Sequence, residues 1–247
     1  MPIIKPKINY AVSGYYFIGL FVFVILGFWP SYFGKFFDGT ADFNFYFHFH
    51  AAMMILWIFM LILQPILIRK KKLALHKFIG KLSYFLFVLM CISIILIINL
   101  SHSHNVNEEN LGNTLLGQFK NFIIFGVAYF IAIRYRHNVA VHARAMIVTG
   151  IAFIEPALTR LILNMLGALK LFITSPNFFW YASVPTIIII FSILIVMMIK
   201  ERHQKKGRWV FPLTLCLYFI LYVLMISQVH ITLWESFAKW FVALPLT

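Results

Sequence analysis

Long apolar runs alternate with short polar connectors along the whole chain, and nothing repeats at a fixed period. Seven runs read as membrane spans, roughly 11–30, 46–68, 78–99, 117–135, 144–166, 182–200 and 209–232. A bilayer core about 30 Å thick asks for about 20 apolar residues at about 1.5 Å each. Backbone polar groups cannot go unbonded in hydrocarbon, so the element must be a helix. The pattern predicts an all-α, polytopic membrane helix bundle of about seven transmembrane helices, one integral membrane domain over 1–247. The tail 233–247, LWESFAKWFVALPLT, is amphipathic and is expected to lie along the membrane interface.

Composition sharpens this reading. The chain is 62% hydrophobic and 11% charged, with a mean hydropathy of +0.91. A soluble domain carries about 25% charge, so the lipid bilayer must serve as solvent. Cys91 and Cys216 both fall in apolar runs, which leaves no disulfide framework. The opening MPIIKPKINYAVSGYY lacks a small-residue cleavage site before its apolar run and reads as the flank of a retained helix.

Charge orients the bundle. With the N-terminus inside, sixteen of the 21 Lys and Arg residues flank the inner ends of spans, including Arg69, Lys70, Lys71, Lys72, Lys77, Arg144, Lys205 and Lys206. Only Lys35, Lys120, Arg160, Lys170 and Lys239 fall elsewhere. This positive-inside asymmetry accounts for the net charge of +14 without a nucleic-acid partner.

The same topology sorts the histidines. His48, His50, His102, His104 and His230 are expected outside, and His76, His137, His142 and His203 inside. At about 100° per residue, His50, Trp57 and Gln64 form one stripe from the outer to the inner end of the second span. His48 points the other way if the helix already begins there, toward headgroups or water. In VHARAMIVTGIAFIEPALTRLILN, His142 and Arg160 are five whole turns apart on one face. Glu155 lies near mid-membrane on the opposite face, where an ionised carboxylate is costly. It must be protonated or paired across to another helix, and Pro156 beside it should loosen the local hydrogen bonding. His76 and His142 both stand at the inner start of their spans, with Gly80 one turn after His76. Two such imidazoles suit axial ligation of a haem iron. Interfacial histidines beside anionic lipid are the plainer reading.

The segments HAAMMILWIFMLILQPILIRKKKLALHKFIGKLS and VHARAMIVTGIAFIEPALTRL resemble a group of uncharacterised bacterial multi-pass membrane proteins. The matching positions are His50, Trp57, Gln64, His76, His142, Met146 and Arg160. More distantly, the arrangement is similar to the transmembrane di-haem cytochromes b of the ascorbate and ferric reductase type. Those proteins carry four histidines on four successive helices, and alternate helices share a haem. The resemblance covers 45–165 and implies a bacterial cytoplasmic membrane, haem b as cofactor, and electron transfer from quinol or ascorbate. His50, His76 and His142 fall at three of the four ligand places. At the fourth this chain reads LLGQFKNFIIF, with Gln118 and Asn121 but no histidine. His230 is a candidate substitute.

Three functions follow. The first is a haem-b membrane oxidoreductase or electron carrier, with Arg160 on a haem propionate or other anion and Gln64 on a quinone head. The second is a copper or zinc site at the outer face, built from His48, His50, His102 and His104 with Glu108 and Glu109. The third is a non-catalytic subunit or assembly factor within a larger membrane complex. A retinal protein is disfavoured, because the last span carries no lysine for a Schiff base. No phosphate-binding glycine loop or nucleophile elbow is present.

Overall fold

The apolar runs become helices throughout the residues that the computed structural model describes, 10–103, 110–171, 178–228 and 231–247. No strand occurs among them. In chain order the helices are α1 (Ser13–Gly27), α2 (Phe45–Arg69), α3 (Leu73–His102), α4 (Leu111–Arg134), α5 (Val139–Ile151), α6 (Ile154–Ala168), α7 (Phe178–Glu201), α8 (Val210–Ile226) and α9 (Thr232–Ala243). His104, Glu108, Glu109 and His230 lie outside the described residues.

Among the described residues, α2, α3, α4, α7 and the pair α5–α6 (Val139–Ala168) are long and apolar enough to cross a bilayer. They make the chain an all-α bundle of the integral membrane kind, with side chains such as Phe85, Phe130, Ile188 and Phe219 exposed on its flanks. The seven-span reading differs from this at two places. The first span bends by 54° between Gly27 and Trp29, and Pro30 sits at the start of the bent segment Trp29–Phe36. The last, α8, has 17 residues and reaches about 26 Å, short of a full crossing. The fifth span is also interrupted, at Ala152 and Phe153. Pro156 has no N–H to give to the carbonyl of Ala152, so the ladder breaks one turn before it.

Helices α2 and α3 form one antiparallel hairpin and α4 and α5 another. The two hairpins pack as a square, with α2 against α5 and α3 against α4, which leaves α3 facing α5 across the diagonal. Helix α1 lies between α2 and α6, and α7 and α8 close the far side against α6 and α4. Close approach of α1 depends on Gly27, where a Cβ would run into the Ala157 carbonyl.

Polar side chains tie one end of the bundle together. Arg69 Nη1 at the end of α2 donates to the Tyr15 hydroxyl at the start of α1 (2.7 Å). Arg144 on α5 donates through Nε to Glu201 on α7, and Tyr10 donates to the same carboxylate. Arg144 Nη1 also donates to the carbonyls of Ala140 (2.7 Å) and Lys206 (2.9 Å). Both ionised side chains are buried. Gly207, at φ +74°, lets the loop close on this guanidinium, since a Cβ there would stand 2.6 Å from Nη1. Burial first, and then the bond to Glu201, push the Tyr10 phenol well above its ordinary range, so it remains a neutral donor. This end carries the basic loops.

The tail forms α9, whose apolar face packs on protein. Ala238, Phe241 and Val242 are buried, and α9 lies on α3 and α4. Asn99 Nδ2 on α3 donates to the carbonyls of Phe241 (2.9 Å) and Leu244 (3.2 Å). Trp234 Nε1 donates to the Gly112 carbonyl (2.8 Å). An amphipathic stripe does not by itself tell a lipid surface from a neighbouring helix; here the buried residues of α9 meet protein, while Leu233 and Trp240 stay exposed.

Orientation is open to a direct check. In a background lacking Cys91 and Cys216, an impermeant thiol reagent on intact cells should modify Asn105→Cys and spare Lys71→Cys. The reverse pattern would place the basic end outside.

Candidate functional site

The square of α2 to α5 has a filled middle and two polar ends. Trp57 is fully buried at its centre. Its ring meets Phe125 edge-on (4.8 Å between centroids), Tyr129 (5.3 Å) and Phe87 (6.3 Å), and its Nε1 donates to Thr149 Oγ1 (3.4 Å). Trp57 is therefore a packing centre that separates the two ends.

At the basic end, His76 of α3 and His142 of α5 stand across the diagonal, within electrostatic reach of each other. Each imidazole is held through Nδ1. His142 Nδ1 lies 2.9 Å from the Ala132 carbonyl, which can only accept. That ring is therefore the Nδ1–H tautomer, and its Nε2 carries a lone pair. Gln64 of α2 holds His76. Its amide donates to His76 Nδ1 and to the His76 carbonyl (3.3 Å) and accepts from the Gly80 N–H (3.1 Å). In this orientation His76 accepts at Nδ1 and its proton sits on Nε2. A half-turn of the amide would present Oε1 to an Nδ1–H and free the Nε2 lone pair, giving up the bonds to the His76 carbonyl and the Gly80 N–H. Neither Nε2 has a hydrogen-bond partner among the described residues. A Cβ at Gly80 would meet no other atom within 4 Å, so the space beside His76 is open. Gln64 spends its polar atoms on α3 and so positions His76; the sequence suggested a quinone-binding role for it instead.

At the other end, His50 Nδ1 is 3.2 Å from Ser93 Oγ on α3. Ser93 gives its proton to the Met90 carbonyl (2.8 Å), so His50 must donate to it, and His50 Nε2 also carries the lone pair. Arg160 of α6 is within electrostatic reach of His50. Its guanidinium sits 4.7 Å above the Phe28 ring, and no carboxylate pairs with it among the described residues. Asn164, one turn on, donates to the Gly27 carbonyl (2.8 Å). The break at Ala152 and Phe153 means that the straight-helix phase relating His142 to Arg160 does not carry through.

His48 diverges from His50, and it is not the solvated side chain expected from the sequence. The bent segment brings Tyr32 to it, with the hydroxyl 2.8 Å from Nδ1, and the rings of Tyr32, Phe36 and Phe43 surround it. His102 is buried at the end of α3. Among the described residues, no three His, Cys, Asp or Glu side chains converge to hold a metal ion.

Glu155 takes the second of its two alternatives. It pairs with Lys120 of α4, across to another helix. Lys120 was visible as a lone cation in LLGQFKNFIIF, but nothing in the sequence tied it to Glu155. Tyr10 and Glu201, the partners of Arg144, left no local signal at all.

His48→Ala should lose one hydrogen bond and three ring contacts, a cost of about 0.5–1.5 kcal/mol for the bond alone, with the basic end untouched. His50→Ala should instead abolish any ligand held beside Arg160. Thermal melting and ligand content of the two variants, measured side by side, check this.

No family model, curated protein or solved structure matches the chain.

Proposed function

We infer that the chain is a haem-b membrane protein that carries electrons between a quinol or small reductant and an acceptor, with His76 and His142 as axial ligands. The observation that carries this reading is the pair of imidazoles on α3 and α5, within electrostatic reach of each other, each hydrogen-bonded at Nδ1 and without a partner at Nε2 among the described residues. An outer-shell hydrogen bond of this kind fixes tautomer and ring orientation in metal-ligating histidines. The open side of Gly80 leaves room for a planar group against α3.

Haem iron, when bound, supplies a one-electron carrier. The protein's part is to hold and orient. Ala132 and Gln64 orient the two rings, and the Trp57 cluster keeps water out of the middle. At the far end, His50 and Arg160 form a second polar locus that would take an anionic or carbonyl group.

The test is the visible spectrum of the purified, detergent-solubilised protein. A reduced-minus-oxidised haem b signal is expected. A colourless protein with no haem by extraction overturns the reading and leaves a subunit or assembly role as the alternative.

A further inference from the structure

A second polar cluster, independent of the histidines, lies where α4, α6 and α8 meet. Lys120 Nζ donates to Glu155 Oε1. Lys120, Tyr218 and Tyr222 are all buried. Glu155 Oε2 and the hydroxyls of Tyr218 and Tyr222 are buried too, and none of the three completes a well-formed hydrogen bond among the described residues, although Tyr222 is near enough to Glu155 to make one. Both phenols stand within electrostatic reach of the carboxylate. Lys120 Nζ lies 4.0 Å above the Tyr222 ring.

A structural ion pair does not need this arrangement. Lysine only donates, so a Glu–Lys pair alone fits an ionised carboxylate and nothing else. Phenol hydroxyls both donate and accept. Tyr218 and Tyr222 can give a hydrogen bond to an ionised Glu155 or take one from a protonated Glu155. The Tyr222 ring face also keeps Lys120 stabilised by cation–π attraction once its anion is neutralised. Each protonation state therefore has partners waiting.

We propose that Glu155, Lys120, Tyr218 and Tyr222 form a proton-binding site inside the bundle, with Glu155 as the group that takes up and releases the proton. A proton delivered from the aqueous phase as hydronium adds to Glu155 Oε2, the O–H bond of the hydronium breaks to leave water, and the charge of the cluster rises by one. The groups facing Glu155 are Lys120 from α4 and the two phenols from α8. Helix α1 carries no charged residue, α7 carries Lys200 and Glu201 only at its far end, and α5 carries His142 and Arg144 only at its far end.

Infrared difference spectroscopy of the full-length protein in lipid nanodiscs, titrated from about pH 9 to about pH 4, decides it. A carboxylic C=O band should grow with acid and move on labelling with ¹³C-glutamate. It should vanish in Glu155→Gln and shift in Tyr222→Phe and Tyr218→Phe, which keep the ion pair. If Glu155→Gln does not fold, the isotope label and the two phenylalanine variants still assign the band. No labelled band across the range, or a band indifferent to both phenylalanine substitutions, overturns the site. Neither result bears on haem content, which is read from the visible spectrum of the same sample.

Discussion

If His76 and His142 share a haem as proposed, alanine at either should remove the whole bis-histidine, low-spin signal, with no half-loss. An iron left with one axial imidazole has lost the bis-histidine ligand set, so each substitution has the effect of both. His137→Ala is the control. That side chain is exposed, with Nε2 accepting from Arg136 Nε (3.3 Å), and it lies five residues before His142 and out of phase with it. It should leave the spectrum intact. Equal losses from all three variants would indicate general misfolding. Gln64→Leu tests the support around the ligand and should weaken haem affinity by about 10- to 100-fold while the absorption bands stay in place.

Glu201→Leu should be among the most destabilising single changes in the chain. It leaves the buried Arg144 guanidinium with no counter-charge, and removing one partner of a buried pair costs about 3–5 kcal/mol. Tyr10 loses its acceptor in the same step. Arg144→Met combined with Glu201→Leu should recover most of the loss, because the expense lies in the stranded charge. Thermal unfolding in detergent of the single and double variants reads this directly. A double variant no more stable than Glu201→Leu would mean that the bonds from Arg144 to the Ala140 and Lys206 carbonyls carry the latch.

Much of this architecture was legible from local pattern. The apolar runs placed α2 to within one residue of its ends and α3, α4 and α7 to within about six. The His50–Trp57–Gln64 stripe was visible because α2 is a regular helix from Asn44, whose side chain caps it at the Tyr46 N–H (3.2 Å). That Glu155 needs a partner followed from the cost of a carboxylate in hydrocarbon. Which partner it has did not follow, because Lys120 is 35 positions away and pairs only through the packing of α4 on its neighbours. The cage around His48 depends on the 54° turn after Gly27, which no periodicity announces. Gln64 was read by residue type as a ligand-binding amide; its tie to His76 and Gly80 depends on how α2 and α3 register across the Lys71 turn, at φ +57°.

The plug of rings around Trp57 bears on what can traverse this protein. Trp57 and Phe125 have no accessible surface, and Tyr129 and Phe87 stack at 4.2 Å beside them. Ions need a hydrated path or fixed dipoles along their route, and four interlocked aromatic side chains provide neither. Electrons tunnel through packed matter without such a path. Vesicles carrying the protein should hold a potassium gradient as tightly as empty ones do, which is what the proposed electron carrier would need in order not to short-circuit the membrane it sits in.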